Sequence, residues 1–240
     1  MTIIDIKEEI ERLIVFLLIN ELILDLNNPI IRELAGNKAV LTWAGAPKTG
    51  VIHNQFASIS EYMSIAINRD FHFMFNDGGI IQFGYIFDDD KILQQRFCFY
   101  PCPLEISQDQ IDIIQPSEDF ITLFKIILEE ELSELNNHLL EDILHDTRTK
   151  LKTRSPFRFD FNYSKDNIDH PASHLHVNKR SCRIPVFGPI SIGHFMRFII
   201  RSFYPQMFSD YLKLKDWPLS YRSRTVREEH MRDLFIECGQ

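Results

Sequence analysis

Apolar residues near the start of the chain, Ile3, Ile6, Ile10, Leu13, Leu17, Ile19 and Leu24, are set among charged ones. That spacing draws a stripe along one side of a helix and predicts an amphipathic or largely buried helix over residues 5–26. Asn27-Asn28-Pro29 should stop it, because proline has no amide donor and pushes its predecessor out of helical geometry. Turn residues at Gly36-Asn37, Gly45 and Pro47 bracket a short strand at 39–43, and Ser58 or Ser60 can cap a helix running to Arg69. The period then changes. Aromatic and aliphatic runs at 71–75, 80–87 and 92–100 are separated by Asn76-Asp77-Gly78-Gly79 and by Asp88-Asp89-Asp90, which predicts a three-stranded antiparallel meander.

Helical spacing returns behind Ser117, where Phe120, Leu123, Ile126, Ile127, Leu132, Leu135, Leu139 and Ile143 predict an acidic-faced helix over 117–146. A polar, basic connection at 147–156 is a candidate sub-boundary or hinge in what otherwise reads as one domain, 1–240. Three short extended segments follow at 157–163, 173–178 and 182–186, then a helix from Ser191 to Phe203-Tyr204-Pro205 and a last one over 225–236. The strands are not regularly separated by crossover helices. The expected class is therefore α+β, an antiparallel sheet made of the meander and the C-terminal strands and flanked by long helices.

With 45% hydrophobic and 25% charged residues in 240, the chain has the material for a packed core and none of the bias of a disordered polymer. The net charge of −8 conceals a split, −14 over residues 1–150 and +6 over 151–240. A basic C-terminal part attracts phosphates; alternatively, the two parts attract one another across a seam. Cys98 and Cys102 lack the two-residue spacing of a structural zinc site and Cys182 and Cys238 stand alone, so all four are expected to be buried or incidental thiols. The longest apolar stretch, 13–20, is too short to span a bilayer, and no secretory leader is legible. The expectation is a cytoplasmic protein with no membrane partner.

The chemistry gathers between Arg158 and Val186. Period-two geometry turns Phe157, Phe159, Phe161 and Tyr163 one way and Arg158, Asp160 and Asn162 the other. On the next strand His174 and His176 share a face, and on the third Arg183 alternates with Cys182 and Ile184. If the strands are neighbours, Arg158, Asp160, His174, His176 and Arg183 lie on one surface, with His170 arriving from the preceding turn. Imidazoles move protons near neutrality, a carboxylate orients a ring, and guanidinium groups hold phosphate. This set suits metal-independent cleavage of RNA or another phosphodiester. His174 and His176 would transfer protons, Asp160 would orient one of them and His170 would assist, while Arg158, Arg183, Asn162 and, from the following helix, Arg197 would bind substrate.

Two other readings stay open. His170, His174 and His176 can be taken as ligands of a divalent metal, with Asp160 or Asp169 completing the set. Alternatively, the histidines only satisfy backbone groups around Pro171, in a non-catalytic component that binds another protein through the acidic helix. Asp88-Asp89-Asp90 reads as a solvated turn, His194 and Arg201 as further groups near the site, and Arg222, Arg224, Arg227 and Arg232 with Tyr221 as a nucleic-acid contact. No phosphate-cradling glycine loop and no nucleophile elbow is present.

The run HPASHLHVN (170–178), followed by CRIPV (182–186), Pro189 and a helix bearing Phe195, Phe198, Ile199 and Phe203-Tyr204, resembles an uncharacterised bacterial family with an HPxSHLH signature. The resemblance is most specific over 158–204 and implies no particular activity. In layout, the meander, the aromatic strand bearing Asp160, the His-dense strand and the phenylalanine-bearing helix are similar to small toxin ribonucleases of bacterial toxin–antitoxin modules. That similarity implies ribonuclease roles for Asp160, His174 and His176, a toxin or antiphage-defence setting, and an antitoxin or defence-complex partner.

Overall fold

The computed structural model describes residues 2–46, 59–103, 154–207, 224–232 and 234–237. The helix expected over 117–146, residues 147–153 of the connection, and Ser58, Tyr221, Arg222 and Cys238 lie outside them. Helix α1 (Ile3–Ile19) is opened by a capping box in which the Thr2 hydroxyl accepts from the Asp5 amide and the Asp5 carboxylate from the Thr2 amide. Its buried stripe is Ile6, Ile10, Leu13, Ile14 and Leu17.

The helix is shorter than its apolar pattern. Glu21 turns into the left-handed region (φ 53°), and the Leu22 amide bonds back to the Leu17 carbonyl. The chain leaves as strand β1 (Ile23–Leu26), where 5–26 had read as one helix. Pairing of β1 with the distant β4 (Phe73–Phe75) satisfies its backbone and overrides the local helical period. Strand β2 (Pro29–Glu33), also unanticipated, pairs with β3 (Lys38–Trp43). Helix α2 (Ile59–Ile67) and the meander, β4, β5 (Ile80–Asp88) and β6 (Lys91–Tyr100), fall where the pattern put them.

Strands β7 (Phe157–Asn162), β8 (Ser173–Val177) and β9 (Ile184–Pro185) continue the same sheet beyond β6, in the order β1-β4-β5-β6-β7-β8-β9, with β3 also pairing with β5. All pairs between these strands are antiparallel among the described residues, and the fold is α+β. Helix α3 (Ile192–Phe203), capped by Ser191, presents Ile192, Phe195, Met196, Ile199 and Ile200 to the sheet. The last helix expected over 225–236 is not formed. Residues 224–227 are irregular, and only a four-residue 3-10 turn, Glu229–Arg232, follows.

Each face of the sheet has its own use. On one, Phe83, Phe97 and Phe159 pack with Phe195 of α3, and the α1 stripe joins the same core. On the other, α2 covers a second core of Trp43, Tyr62, Ile65, Phe71, Met74, Cys98, Tyr100 and Cys102. Cys98 and Cys102 are thus buried thiols, and burial pushes that of Cys98 up to about 12. Among the described residues no helix is long and apolar enough to cross a membrane.

His72 is fully buried, stacks edge-on against Trp43, and accepts the Phe83 amide at its Nδ1 (3.1 Å). Burial pulls its pKa down to about 3, against 6.5 for a free side chain. Between those values the unfolded chain binds the extra proton and the folded chain does not. Stability should therefore be full above about pH 6.5 and fall as pH drops toward 3. Urea midpoints between pH 7 and 4 test this: the slope should become shallower in His72→Gln, and an unchanged slope would refute the assignment.

Candidate functional site

The site is a grid laid out by strand register. Arg96 on β6 lies opposite Asp160 on β7, which lies opposite His174 on β8; one step along, Cys98, Arg158 and His176 form the next row. These positions alternate with Phe97, Phe159 and Leu175, which point into the core on the other face. One residue separates each of these groups from the next on its strand, so all of them lie on one face of the sheet. Arg96, Arg158, Asp160, His174 and His176, together with His170, Arg183, Asn162, Lys165 and Arg180, line a cleft of about 100 Å³, room for several waters or a group of that size.

Seven of the eight residues singled out from the sequence are thereby gathered: Arg158, Asp160, Asn162, His170, His174, His176 and Arg183. Arg197 is not. It belongs to α3, which packs on the opposite face, so its guanidinium stands beside His194 and away from the cleft. Arg96, Lys165 and Arg180 were missed. Arg96 alone left a trace, as a charge interrupting the otherwise apolar end of β6, but its partner is 64 residues away.

Asp160 is the hub. Its Oδ1 accepts from Arg96 Nε (3.0 Å), and its Oδ2 faces Arg158 Nη2 (3.0 Å), His176 Nε2 (3.3 Å) and His174 Nε2 (4.0 Å). The imidazoles are hydrogen-bonded to each other through their Nε2 atoms at 2.9 Å. His174 Nδ1 donates to the Pro171 carbonyl (2.7 Å), an acceptor only, so that nitrogen carries the proton and Nε2 of the neutral ring keeps its lone pair. The proton between the rings therefore sits on His176 Nε2. One proton is directed at two electron-pair atoms, His174 Nε2 and Asp160 Oδ2.

Electrostatics keeps the site in this state. Burial alone would raise the Asp160 carboxyl, but the His176 hydrogen bond and the Arg96 and Arg158 charges outweigh it and hold the carboxyl well below its usual range. Burial pulls His174 down to about 3 and lowers His176, where Asp160 works in the opposite sense. His170 is lowered by burial and then by the charge of Arg183, and its ring meets that of His174 edge-on at 4.7 Å. All three rings are neutral at pH 7. The cleft then combines neutral nitrogen donors, one ionised carboxylate and five cationic side chains, an excess of positive charge that suits an anion. Arg183 Nε is buried with no hydrogen-bond partner, a donor available to such a ligand.

The wall carrying Lys165 and His170 is tied down from the C-terminal side. Arg227 donates to the Asp166 carboxylate (2.7 Å) and carbonyl (3.2 Å), and His230 Nε2 to the Asn167 and Ile168 carbonyls. Thr225 shares a hydroxyl bond with Ser173, and the Ile236 amide donates to the Pro185 carbonyl. Arg227, expected to follow a nucleic-acid backbone, is thus engaged within the protein.

Asp160→Ala should destabilise the fold by roughly 3 kcal/mol, because Arg158, with a side chain only 4% exposed, loses its carboxylate. Adding Arg158→Met should recover part of the loss. Urea denaturation of the single and double variants measures both, and an unchanged midpoint in Asp160→Ala would show that the carboxylate does not organise the sheet surface.

Residues 22–237 match a family model described as an uncharacterized conserved protein, DUF2290, and that span holds every strand of the sheet and the whole cleft. No curated protein and no solved structure matches the chain. On the extent of that match, the chain belongs to the DUF2290 family.

Proposed function

We propose that the cleft binds the phosphate of a phosphodiester, with RNA as the substrate class, and cleaves it. The observation that carries this reading is the carboxylate–imidazole–imidazole cluster at the floor of a cleft edged by arginines. Phosphoryl chemistry needs groups that neutralise the non-bridging oxygens and a group that activates the attacking oxygen. Arg183, with an unmade donor, and Arg180 and Lys165 beside it suit the first task. The imidazole nitrogens, kept neutral at physiological pH by burial, bring electron pairs to the second.

The toxin or antiphage-defence setting, the cytoplasmic location and an antitoxin or defence-complex partner are part of the same proposal. They are supported by the layout resemblance whose residues, Asp160, His174 and His176, meet in one site. Arg158 serves the centre from within, through Asp160, since its side chain is almost wholly buried.

The double variant His174→Ala, His176→Ala should lower kcat/KM for a generic single-stranded RNA at least about a hundredfold. Arg183→Ala should act mainly on KM. Both are read by gel-based cleavage with circular dichroism as the check on folding. A folded double variant that cleaves as fast as the parent would end the proposal.

A further inference from the structure

The geometry points to a mononuclear site for a first-row divalent metal of the zinc type, held by His174 Nε2, His176 Nε2 and Asp160 Oδ2. These three atoms form a triangle with edges of 2.9, 3.3 and 4.0 Å. The circle through its corners has a radius of about 2 Å, which matches Zn–N and Zn–O bonds of about 2.0–2.2 Å. One ion can therefore reach all three atoms without moving the strands.

Three further features belong to ligands rather than to proton carriers. The His174 Nδ1–H is anchored on the Pro171 carbonyl, the outer-sphere bond that fixes a metal-bound imidazole in its tautomer. Asp160 is braced through its other oxygen by Arg96, so the carboxylate is oriented before any ligand arrives. Both Nε2 atoms are turned toward each other and toward Asp160, the direction in which a metal needs them. Metal binding displaces the single inter-ring proton, which passes to the His176 Nδ1 and leaves three lone pairs on one ion.

Of the ligands suggested by the sequence, His174, His176 and the completing carboxylate Asp160 meet in this triangle, and His170 stands outside it. His170, edge-on to His174, is left free to face whatever occupies the open side of the ion. Two histidines and one carboxylate leave that side to water or substrate. The surrounding arginines oppose a lone dication, so an anionic ligand should bind together with it. For the catalytic consequence the inference rests on the phosphodiester reading. A metal-bound water, its pKa lowered, would lose a proton to solvent and form the new P–O bond while the bond to the leaving oxygen breaks and that oxygen takes up a proton. His174 and His176 would then be ligands, not the acid and base expected from sequence.

The test uses the full-length chain purified without a histidine tag, stripped with a chelator and titrated with Zn²⁺ or Co²⁺ alone, then with inorganic phosphate present. The expected result is one equivalent per chain, a visible Co²⁺ spectrum of a low-coordinate nitrogen- and oxygen-ligated ion, and tighter binding with phosphate. His174→Gln, His176→Gln and Asp160→Asn should each weaken binding at least tenfold, whereas His194→Gln should not. Sub-stoichiometric uptake by the folded parent, or uptake indifferent to the three substitutions, would overturn the inference, and the parent's stoichiometry decides it even if a variant fails to fold. RNA cleavage that persists with no metal bound overturns the role of the ion in cleavage and leaves the phosphodiester reading standing; stoichiometric metal with no cleavage leaves the metal site standing and ends the phosphodiester reading.

Discussion

A carboxylate set into the surface of a β-sheet is the constraint on which the cleft depends. Asp160 is nearly buried and ionised, a state that survives only with compensating donors around it. Two guanidinium groups provide them from either side, one on its own strand and one on the next. The rest follows from that arrangement: the charge of Asp160 draws the His176 N–H, His176 engages His174, and His174 is fixed in turn by the Pro171 carbonyl. A chain of polar groups is thus built where a sheet would otherwise bury aliphatic side chains.

The asymmetry of the sheet explains how this polar floor is tolerated. One face is closed by α1 and α3 over a phenylalanine-rich core, which supplies the apolar burial that holds the strands together. The other is apolar only under α2 and open farther along, so polar groups there cost no core packing. The boundary between the two uses falls between successive same-face positions of one strand: on β6, Cys98 belongs to the second core and Arg96 to the cleft.

Much of the floor was legible because two-residue periodicity is a property of the backbone and needs no knowledge of distant partners. RFDFN and SHLHV declare their faces outright, and the short strands between turn signals made antiparallel neighbours the natural arrangement. Arg96 was not legible, since what gives it meaning is the register between strands separated by a long insertion. Arg197 misled for the opposite reason: it is close in sequence to the cluster, but α3 returns on the far side of the sheet. The start of the fold misled as well, because the apolar period of α1 continues past Ile19 while Glu21 reverses the chain and β1 finds its partner at β4. Pro29 reads as a helix stop, and it also begins a strand that among the described residues pairs on one side only, where a missing amide is harmless.

The tie between Arg227, His230 and the loop that bears His170 has a bearing on when the cleft takes shape. Every group of the floor precedes residue 187, so a growing polypeptide carries all of them well before it carries their brace. A ribosome-bound chain would hold the polar groups of the floor with one wall still unsecured. Recognition geometry would be the final thing acquired during synthesis, so a half-made copy would carry the floor without its finished wall.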